Sequence, residues 1–496
     1  MKKKKVIPHD FQAELNTRTS DYWEKLQRKN ALKFFRDTVK NVPAYKDFLM
    51  QHRFKAESVK TWEQFKQIPL TNKKQYLKKA YFPNLIRNGL VQQLEYSSTS
   101  GSTGTPFYFP RSSNLEEEYS VVLESFLKSF THNKRKKTLV IIAFGMGVWI
   151  GGLITYKAFE LVSSRFSPLS LIAPGVNKKE IFNALRNLSK YYDQTILVGY
   201  PPFIKDVIDE SKDEGINIQK LNIKILFAAE AFTEGFRDYL AEKTNIKNVC
   251  NETLNIYGTA DIGAMAFETP TSILIRRLVI KNPDVAKRIF GDTNRTPTLA
   301  QYNPNFLFFE EINNEIILTG TSALPLVRYA VGDHGGVYTF AELKSILREF
   351  KIDISKEAKK HNVKIYELPF VYVYERTDLS ATIYGLQIYP ETLREVLLQK
   401  PFQDYLTGKF TLRTVFDSKN DQYLELNVEM KRNVAMNKKY EKRFLQAVVA
   451  NLREKNSEFR ELSDFLGKRA YPKIVFWSLG DSTHFASGIK QKWVKK

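Results

Sequence analysis

The segment Tyr96–Pro106 reads YSSTSGSTGTP, and its Ser, Thr and Gly residues are of the types that bind a polyanion. Glycine lets the backbone approach a ligand closely and adopt positive φ angles. Successive backbone N–H groups in such a turn form a concavity for anions, and hydroxyl groups add donors. A flexible surface loop has the same composition, so the segment alone leaves both interpretations open. A Walker P-loop is excluded because the Gly-Lys-Ser/Thr ending is absent.

Short apolar runs alternate with amphipathic segments around the middle of the chain. This alternation predicts a parallel, doubly wound α/β sheet with helices between the strands. Ligands of such sheets bind beyond the carboxyl ends of the strands. Gly199, Ala228–Glu230 and Tyr257–Asp261 each follow or end a predicted strand, so we expect them to face one crevice. The predicted strands are Leu139–Phe144, Leu169–Ile172, Thr195–Val198, Ile223–Phe227 and Asn248–Ile256.

The pattern changes in the last third of the sequence. Glu315–Thr319 and Leu326–Tyr329 read as strands of a β-rich lobe. After Asp378 the predicted order is strand, helix, strand, strand, helix, strand, which makes a small α+β domain. The predicted fold class is therefore α/β, with a large N-terminal domain of mostly parallel sheets plus a β-rich lobe, and a small C-terminal domain.

The chain of 496 residues has a formal net charge of +22 and one cysteine, Cys250. The charge favours anionic partners such as nucleotides, coenzyme A or acidic proteins. No nucleic-acid-binding motif is found, and we expect no nucleic acid as a partner. The single cysteine excludes an internal disulfide and fits the cytoplasm.

One segment raises the question of a membrane helix. Thr138–Tyr156 is uncharged and long enough to span a bilayer, but Gly145, Gly147, Gly151 and Gly152 interrupt it. The segment favours a strand, a glycine loop and a helix over a membrane span.

Six short motifs follow one another along nearly the whole chain. They are Tyr96–Pro106, Phe144–Gly152 (FGMGVWIGG), Phe227–Glu230 (FAAE), Tyr257–Gly263 (YGTADIG), Leu326–Asp333 (LVRYAVGD), and Arg376–Asp378 with Gly385–Pro390 (GLQIYP). Each motif is weak alone. In this order they resemble the motifs of the adenylate-forming enzymes, and within them the phenylacetate–coenzyme A ligase-like branch.

The resemblance implies a site for ATP and Mg²⁺. Thr103 and Asp261 would hold Mg²⁺, a hard cation that prefers oxygen ligands. Asp333 would accept from the ribose hydroxyls, Tyr257 would lie near adenine, and Arg376 would contact ribose or phosphate. The full set implied for the nucleotide is Ser100, Gly101, Ser102, Thr103, Gly104, Ala229, Glu230, Tyr257, Gly258, Thr259, Asp333 and Arg376.

It also implies a two-domain enzyme that activates a carboxylic acid. Residues 1–375 would bind ATP and the acid, 376–378 would be the hinge, and 379–496 would be a mobile domain that carries the catalytic lysine. Lys490 is the predicted lysine, with Lys492 second. Trp149, Tyr200, Phe227, Ala228 and Gly258 are the predicted pocket for the acid, whose aromatic walls suit an aryl or apolar substrate.

Three positions depart from the family's pattern. Thr105 stands where the loop usually has lysine, Asp261 where the family has glutamate, and Glu375 where a glycine is expected. The predicted activity is ATP-dependent formation of an acyl-adenylate and transfer of the acyl group to coenzyme A. Transfer to the phosphopantetheine thiol of an acyl carrier protein, or to an amine, is an alternative. A non-catalytic nucleotide- or nucleic-acid-binding protein is another, and the sequence leaves a homodimer open.

Overall fold

The apolar runs of the sequence build one long β-sheet, and the C-terminal part of the chain packs beside it. The computed structural model describes residues 11–98, 107–111, 113–131, 136–147, 150–166, 169–291, 296–320, 322–374, 380–397, 399–432, 434, 437–481, 483–485 and 494.

Four helices and a small hairpin precede the main sheet. Residues 20–51 form two helices, because Pro43 lacks the N–H that would continue the first and instead begins the second. The elements are α1 (Phe11–Thr17), α2 (Ser20–Asn41), α3 (Pro43–Gln51), α4 (Trp62–Phe65), β1 (Glu95–Ser98) and β2 (Tyr108–Arg111).

The predicted alternation of strands and helices is confirmed in the middle of the chain. Strands β3, β5 and the first five residues of β6 are buried throughout, as expected for parallel strands covered on both faces. The elements are α5 (Ser113–Phe130), β3 (Thr138–Ala143), α6 (Ile150–Arg165), β4 (Leu169–Ile172), α7 (Lys178–Asn187), β5 (Gln194–Gly199), α8 (Pro201–Glu210), β6 (Ile223–Ala228), α9 (Glu234–Thr244), α10 (Val249–Glu252) and β7 (Thr253–Thr259).

One predicted strand, Asn248–Ile256, was wrong in its first half. Its opening residues form α10, because the Asn248 side chain accepts from the Cys250 N–H at 3.1 Å and caps a helical turn. The strand itself begins at Thr253.

The β-rich lobe continues the same sheet with antiparallel strands. The eleven strands lie in the order β10-β11-β12-β13-β9-β8-β7-β6-β5-β3-β4, parallel from β4 to β7 and antiparallel beyond β7. The added elements are β8 (Gly263–Phe267), α11 (Pro270–Ile280), α12 (Pro283–Phe290), β9 (Thr298–Gln301), β10 (Leu307–Ile312), β11 (Glu315–Gly320), β12 (Leu326–Tyr338), α13 (Phe340–Glu349), α14 (Ile354–Lys360) and β13 (Phe370–Tyr374).

The C-terminal region has the predicted α+β composition and one further long helix, α18. Its strands form a hairpin, β14–β15, and a three-stranded sheet in the order β16-β17-β18. The elements are β14 (Ala381–Ile383), β15 (Leu386–Ile388), α15 (Pro390–Leu397), α16 (Lys400–Gln403), β16 (Leu406–Phe416), β17 (Gln422–Met430), α17 (Lys438–Lys455), α18 (Ser457–Leu466) and β18 (Lys473–Trp477).

Buried apolar side chains join the two regions. One cluster runs from a face of the parallel strands through α8 and α9 to β14, β17 and α18. The segment first considered as a membrane span forms β3 and α6 instead. Within the described ranges, every helix is too short or too polar to span a bilayer. The predicted mixed α/β fold is confirmed, and the division at 376–378 stays a prediction because those residues lie outside the described ones.

Candidate active site

A cavity of about 380 Å³ lies where the carboxyl ends of β6 and β7 meet β12 and the hairpin β14–β15. Two of the segments predicted to face one crevice, Ala228–Glu230 and Tyr257–Asp261, line it, and Tyr200, directly after Gly199, lines it too. Asp333 adds a carboxylate. This position matches the rule for ligand sites in open α/β sheets.

The carboxylate of Asp333 is held at the cavity wall by a tyrosine. The Tyr257 hydroxyl donates to Oδ2 of Asp333 at 2.5 Å, which links β7 to β12. Asp333 is only 7% exposed, so its orientation is set by protein contacts rather than by bulk water. A carboxylate fixed in this way can accept further hydrogen bonds from vicinal hydroxyl groups.

A second carboxylate, Asp261, follows β7 at the same cavity. The hydroxyl of the buried Tyr329 donates to Oδ2 of Asp261 at 2.6 Å. No cluster of three or more His, Cys, Asp or Glu side chains is found in the described part of the chain. Mg²⁺ is commonly held by one or two carboxylates together with water and substrate phosphates, so a single Asp261 fits such a site.

The backbone is tightly arranged where β6 and β7 reach the cavity. A Cβ on Gly258 would lie 2.5 Å from the carbonyl oxygen of Gly263, so β7 and β8 can approach here only because the residue is glycine. Ala229 has φ of 76°, a conformation that costs a residue with a Cβ about 1 kcal/mol or more. Such strain is often found beside ligand sites. Thr259, at the end of β7, also lines the cavity.

A cation that sequence reasoning missed, Lys73, also lines the cavity. Its Nζ lies 5.2 Å from the ring centroid of Phe109, at the base of the predicted phosphate loop. The preceding segment is fixed to β12, since the Thr71 N–H donates to the Arg328 carbonyl at 3.0 Å. The sequence held one indication of it: the phosphate loop has Thr105 where the family usually has lysine, so another cation was needed near the phosphates.

The other end of the cavity is more apolar. Phe144 and Tyr200 pack edge to face with ring centroids 4.9 Å apart, and Ile154 lies beside them. The Thr155 hydroxyl donates to the Tyr119 hydroxyl at 3.3 Å, which places one polar pair on this wall.

Three residues of the predicted acid pocket line this cavity: Tyr200, Ala228 and Gly258. Phe227 does not: it is fully buried and packs against Phe232 with ring centroids 4.9 Å apart. Ala228 lines the cavity and Phe227 does not, because the side chains of neighbouring residues in a strand point to opposite faces of the sheet.

The C-terminal region closes one side of the cavity. Glu230, predicted for the nucleotide, accepts from the Gly385 N–H through one carboxylate oxygen and from Gln422 Nε2 at 2.7 Å through the other. A Cβ on Gly385 would lie 2.4 Å from the Tyr200 ring, so hairpin β14–β15 sits directly on that ring. Glu458, in the first turn of α18, lines the cavity from this side.

Several predicted site residues lie outside the described residues, and their roles stay predictions. They are Ser100, Gly101, Ser102, Thr103, Gly104, Trp149, Arg376, Lys490 and Lys492.

Solved structures share this fold at low sequence identity. A 2-hydroxyisobutyryl-CoA ligase in complex with 2-HIB-AMP and CoA, in the thioesterification state, matches with 13% identity over 97% of this chain and 91% of that chain, at a TM-score of 0.63. An open conformation of that ligase with the same ligands matches with 13% identity. The match covers 98% of this chain and 94% of that chain, at a TM-score of 0.55. The postadenylation state of the ligase with 2-HIB-AMP matches with 14% identity. The match covers 98% of this chain and 90% of that chain, at a TM-score of 0.53. No protein-family model and no curated protein matches the chain.

Proposed function

We propose that this chain, which has the fold of an acyl-CoA ligase, is an adenylate-forming ligase. It activates a carboxylic acid with ATP as an acyl-adenylate and then transfers the acyl group to the thiol of coenzyme A. The observation that carries the proposal is the cavity at the strand ends, where Tyr257, Asp261 and Asp333 come together against the C-terminal hairpin.

The nucleotide is held by residues from both halves of the sheet. Asp333 accepts from the ribose hydroxyls, and Tyr257 both fixes that carboxylate and lies beside adenine. Ser100, Gly101, Ser102, Thr103 and Gly104 cradle the β- and γ-phosphates through backbone N–H and hydroxyl groups. Lys73 supplies a cation near this loop, where Thr105 cannot. Arg376 contacts ribose or phosphate.

Asp261 and the Thr103 hydroxyl are the protein ligands for Mg²⁺, completed by phosphate oxygens and water. When bound, the metal offsets the negative charge that develops on the phosphates. Tyr329 keeps the Asp261 carboxylate oriented towards the cavity.

Lys490 is the cation that bridges the substrate carboxylate and the α-phosphate. Attack at the α-phosphorus concentrates negative charge there, and a positioned ammonium group stabilises that charge. Because Lys490 belongs to the C-terminal region, it reaches the site only after that region closes on it.

The acid occupies the apolar end of the cavity. Phe144, Tyr200 and Ile154 give it an apolar wall, and Trp149 belongs to the predicted glycine-rich turn beside Phe144. An aryl or other apolar acid suits these walls.

We favour coenzyme A as the acceptor, since the solved structures that share the fold include a ligase in complex with CoA. The TM-score is higher for the ligase in its thioesterification state than for its postadenylation state, 0.63 against 0.53. A net charge of +22 suits a second polyphosphate ligand. Carrier-protein and amine acceptors are competing outcomes of the experiment below.

Acid-dependent pyrophosphate release from ATP tests the proposal, with hydroxylamine added to trap the acyl-adenylate. Aryl, fatty, amino and 2-hydroxy acids form the panel. We expect signal with one acid class, and Lys490→Ala lowers it about 100-fold or more, as for loss of a group that stabilises transition-state charge.

Lys492→Ala is the matched control and leaves the rate largely unchanged. Addition of coenzyme A, of an acyl carrier protein or of an amine then identifies the acceptor. Binding of ATP without pyrophosphate release from any acid contradicts the proposal and favours the non-catalytic alternative.

A further inference from the structure

Glu458, an acidic residue of the C-terminal region, lines the cavity. Its helix, α18, is fixed at its start: the Asn456 side chain accepts from the Phe459 N–H at 2.9 Å. Phe459 is fully buried in the cluster that joins the two regions. These contacts fix the backbone of the first turn of α18, and Glu458 stands on this turn at the cavity wall.

The surroundings of Glu458 hold no counterion among the described residues. Within the described ranges Glu458 has no ion pair, and the one charge that acts on its pKa is that of the like-charged Glu461. Tyr200 and the backbone of Gly385 line the cavity beside it. The titratable side chains around Glu458 and Tyr200 are Glu461 on the same helix, Tyr384 on the hairpin, and Glu230 after β6.

This setting places the protonation of Glu458 close to neutral pH. Burial and the nearby Glu461 raise the pKa of Glu458 to about 7. A carboxyl group with that pKa is ionised enough to accept a proton near neutrality and basic enough to take one from a thiol. The same carboxyl group in water would be a much weaker base.

We propose that Glu458 is the general base that takes the thiol proton during acyl transfer. The inference rests on the proposed function, which supplies the acyl-adenylate and the thiol. In the step, the S–H proton moves to the Glu458 carboxylate while the sulfur lone pair attacks the acyl carbon. The new C–S bond forms, the bond from the acyl carbon to the phosphate oxygen breaks, and AMP leaves with that electron pair.

The position of Glu458 ties this role to one half-reaction. It stands on the C-terminal side of the cavity, beside Tyr200 and hairpin β14–β15, and the phosphate-side groups Lys73 and Asp261 come from other elements. A second, small cavity lined by Glu458, Tyr200, Tyr384 and Leu386 adjoins it. Adenylation needs no proton acceptor here, since the carboxylic acid attacks as its anion.

The test compares full-length wild type with Glu458→Gln, a nearly isosteric change. The acid is the one that gives the largest hydroxamate signal in the panel, and the thiol is coenzyme A. Hydroxylamine is uncharged at neutral pH and needs no base, so hydroxamate formation should be equal in the two proteins. Single-turnover thioester formation from the enzyme-bound acyl-adenylate should fall about 100-fold at pH 7.

The pH profile separates a base from a structural role. In wild type, the thioester rate rises through an apparent pKa near 7 and then levels, whereas Glu458→Gln lacks that inflection and gains rate only as the free thiol ionises. Glu458→Asp retains part of the rate. Glu454→Gln, at an exposed position on α17, is the matched control and behaves as wild type.

Each outcome bears on a different statement. Equal thioester rates in wild type and Glu458→Gln, or the same inflection in both pH profiles, overturn the role of Glu458. The proposed function still stands in that case, provided that hydroxamate forms. An equal loss of hydroxamate and thioester in the variant overturns the role of Glu458 as well, since it shows a structural role. Absence of hydroxamate from wild type with every acid refutes the proposed function, and this inference with it.

Discussion

Two glutamates of this chain have neighbours that shift their pKa values in opposite directions. Glu458 is raised to about 7 by burial and by Glu461. Burial would also raise the pKa of Glu234, but the charges of Arg237 and Arg276 lower it to about 2. The difference lies in the partners rather than in the residue type. Glu234 is therefore a structural anion, and Glu458 is available to exchange a proton.

The raised pKa of Glu458 predicts that Glu458→Gln stabilises the protein above neutral pH. When a carboxyl group binds its proton more tightly in the folded state, the protein loses stability as the pH rises. The loss runs from the group's unfolded pKa of about 4.5 to its folded pKa of about 7. At pH 8 we expect the free energy of unfolding of the variant to exceed that of wild type by about 1–3 kcal/mol. Urea unfolding at several pH values measures it.

The gain should shrink as the pH falls towards 4.5, where Glu458 is protonated in the folded state. A variant that is less stable than wild type at pH 8 would contradict the shift. A gain that is the same at pH 5 and pH 8 would contradict it too.

Among single residues, the sequence predicted those site residues that belong to a local motif. Asp261, Asp333 and Tyr257 were named from their motifs, and all three line one cavity. Lys73 and Glu458 belong to no such motif and reach the cavity only through tertiary packing. Phe227 shows the reverse case, because the motif put it beside the site while the alternation of side chains along β6 turned it into the core.

At the level of elements, a buried ion-pair network ties α9 and α11 to the loop after β8. Arg237 contacts Glu268 at 2.7 Å and Glu234 at 2.9 Å, and Arg276 contacts Glu234 at 2.6 Å. The Arg237 side chain is fully buried and also donates to the Thr253 hydroxyl at 2.6 Å. Charges that are removed from water persist only because each one faces an opposite charge.

Arg237→Met should therefore be strongly destabilising. It leaves the buried Glu268 and Glu234 short of positive charge, and removal of one partner from a buried pair costs about 3–5 kcal/mol. Denaturant unfolding measures the change. Arg277→Met is the control, because its side chain is 23% exposed and its loss should cost far less. Equal costs for the two variants would show that burial of the network does not decide its strength.

The elements themselves were predicted where the sequence pattern has one interpretation. The mostly apolar runs of β3, β5 and β6 were placed within a residue or two of their observed ends. α10 was read as strand because a four-residue helix has too few turns to show a period. α18 was not predicted, although Asn456 caps its start, and it is the helix that carries Glu458.

Over the whole molecule, the two regions meet through a shared apolar cluster and through several polar contacts. The Tyr384 hydroxyl donates to the buried Asp206 at 2.9 Å. Lys205 of α8 contacts Asp421 at 2.6 Å, and Arg469 lies 3.5 Å from the same carboxylate. Polar contacts of this kind resemble those between domains that move relative to one another. The sequence predicted such motion only through the family resemblance, since no local pattern records how two regions meet.

The last prediction tests whether this arrangement serves thiol transfer alone. In the double variant Asp209→Cys and Asp421→Cys, two partly exposed positions whose carboxylates both contact Lys205, a short bismaleimide should join the two regions as they stand. The buried Cys250 should not compete for the reagent. Because the proposed role of Lys490 requires the C-terminal region to close on the site before adenylation, the cross-linked protein should lose acid-dependent pyrophosphate release. It should still convert added acyl-adenylate and coenzyme A to thioester. The two single variants, treated with the same reagent, control for the lost ion pair. Full adenylation by the cross-linked protein would show that one arrangement supports both steps, and the proposed closure of the C-terminal region before adenylation would then be wrong.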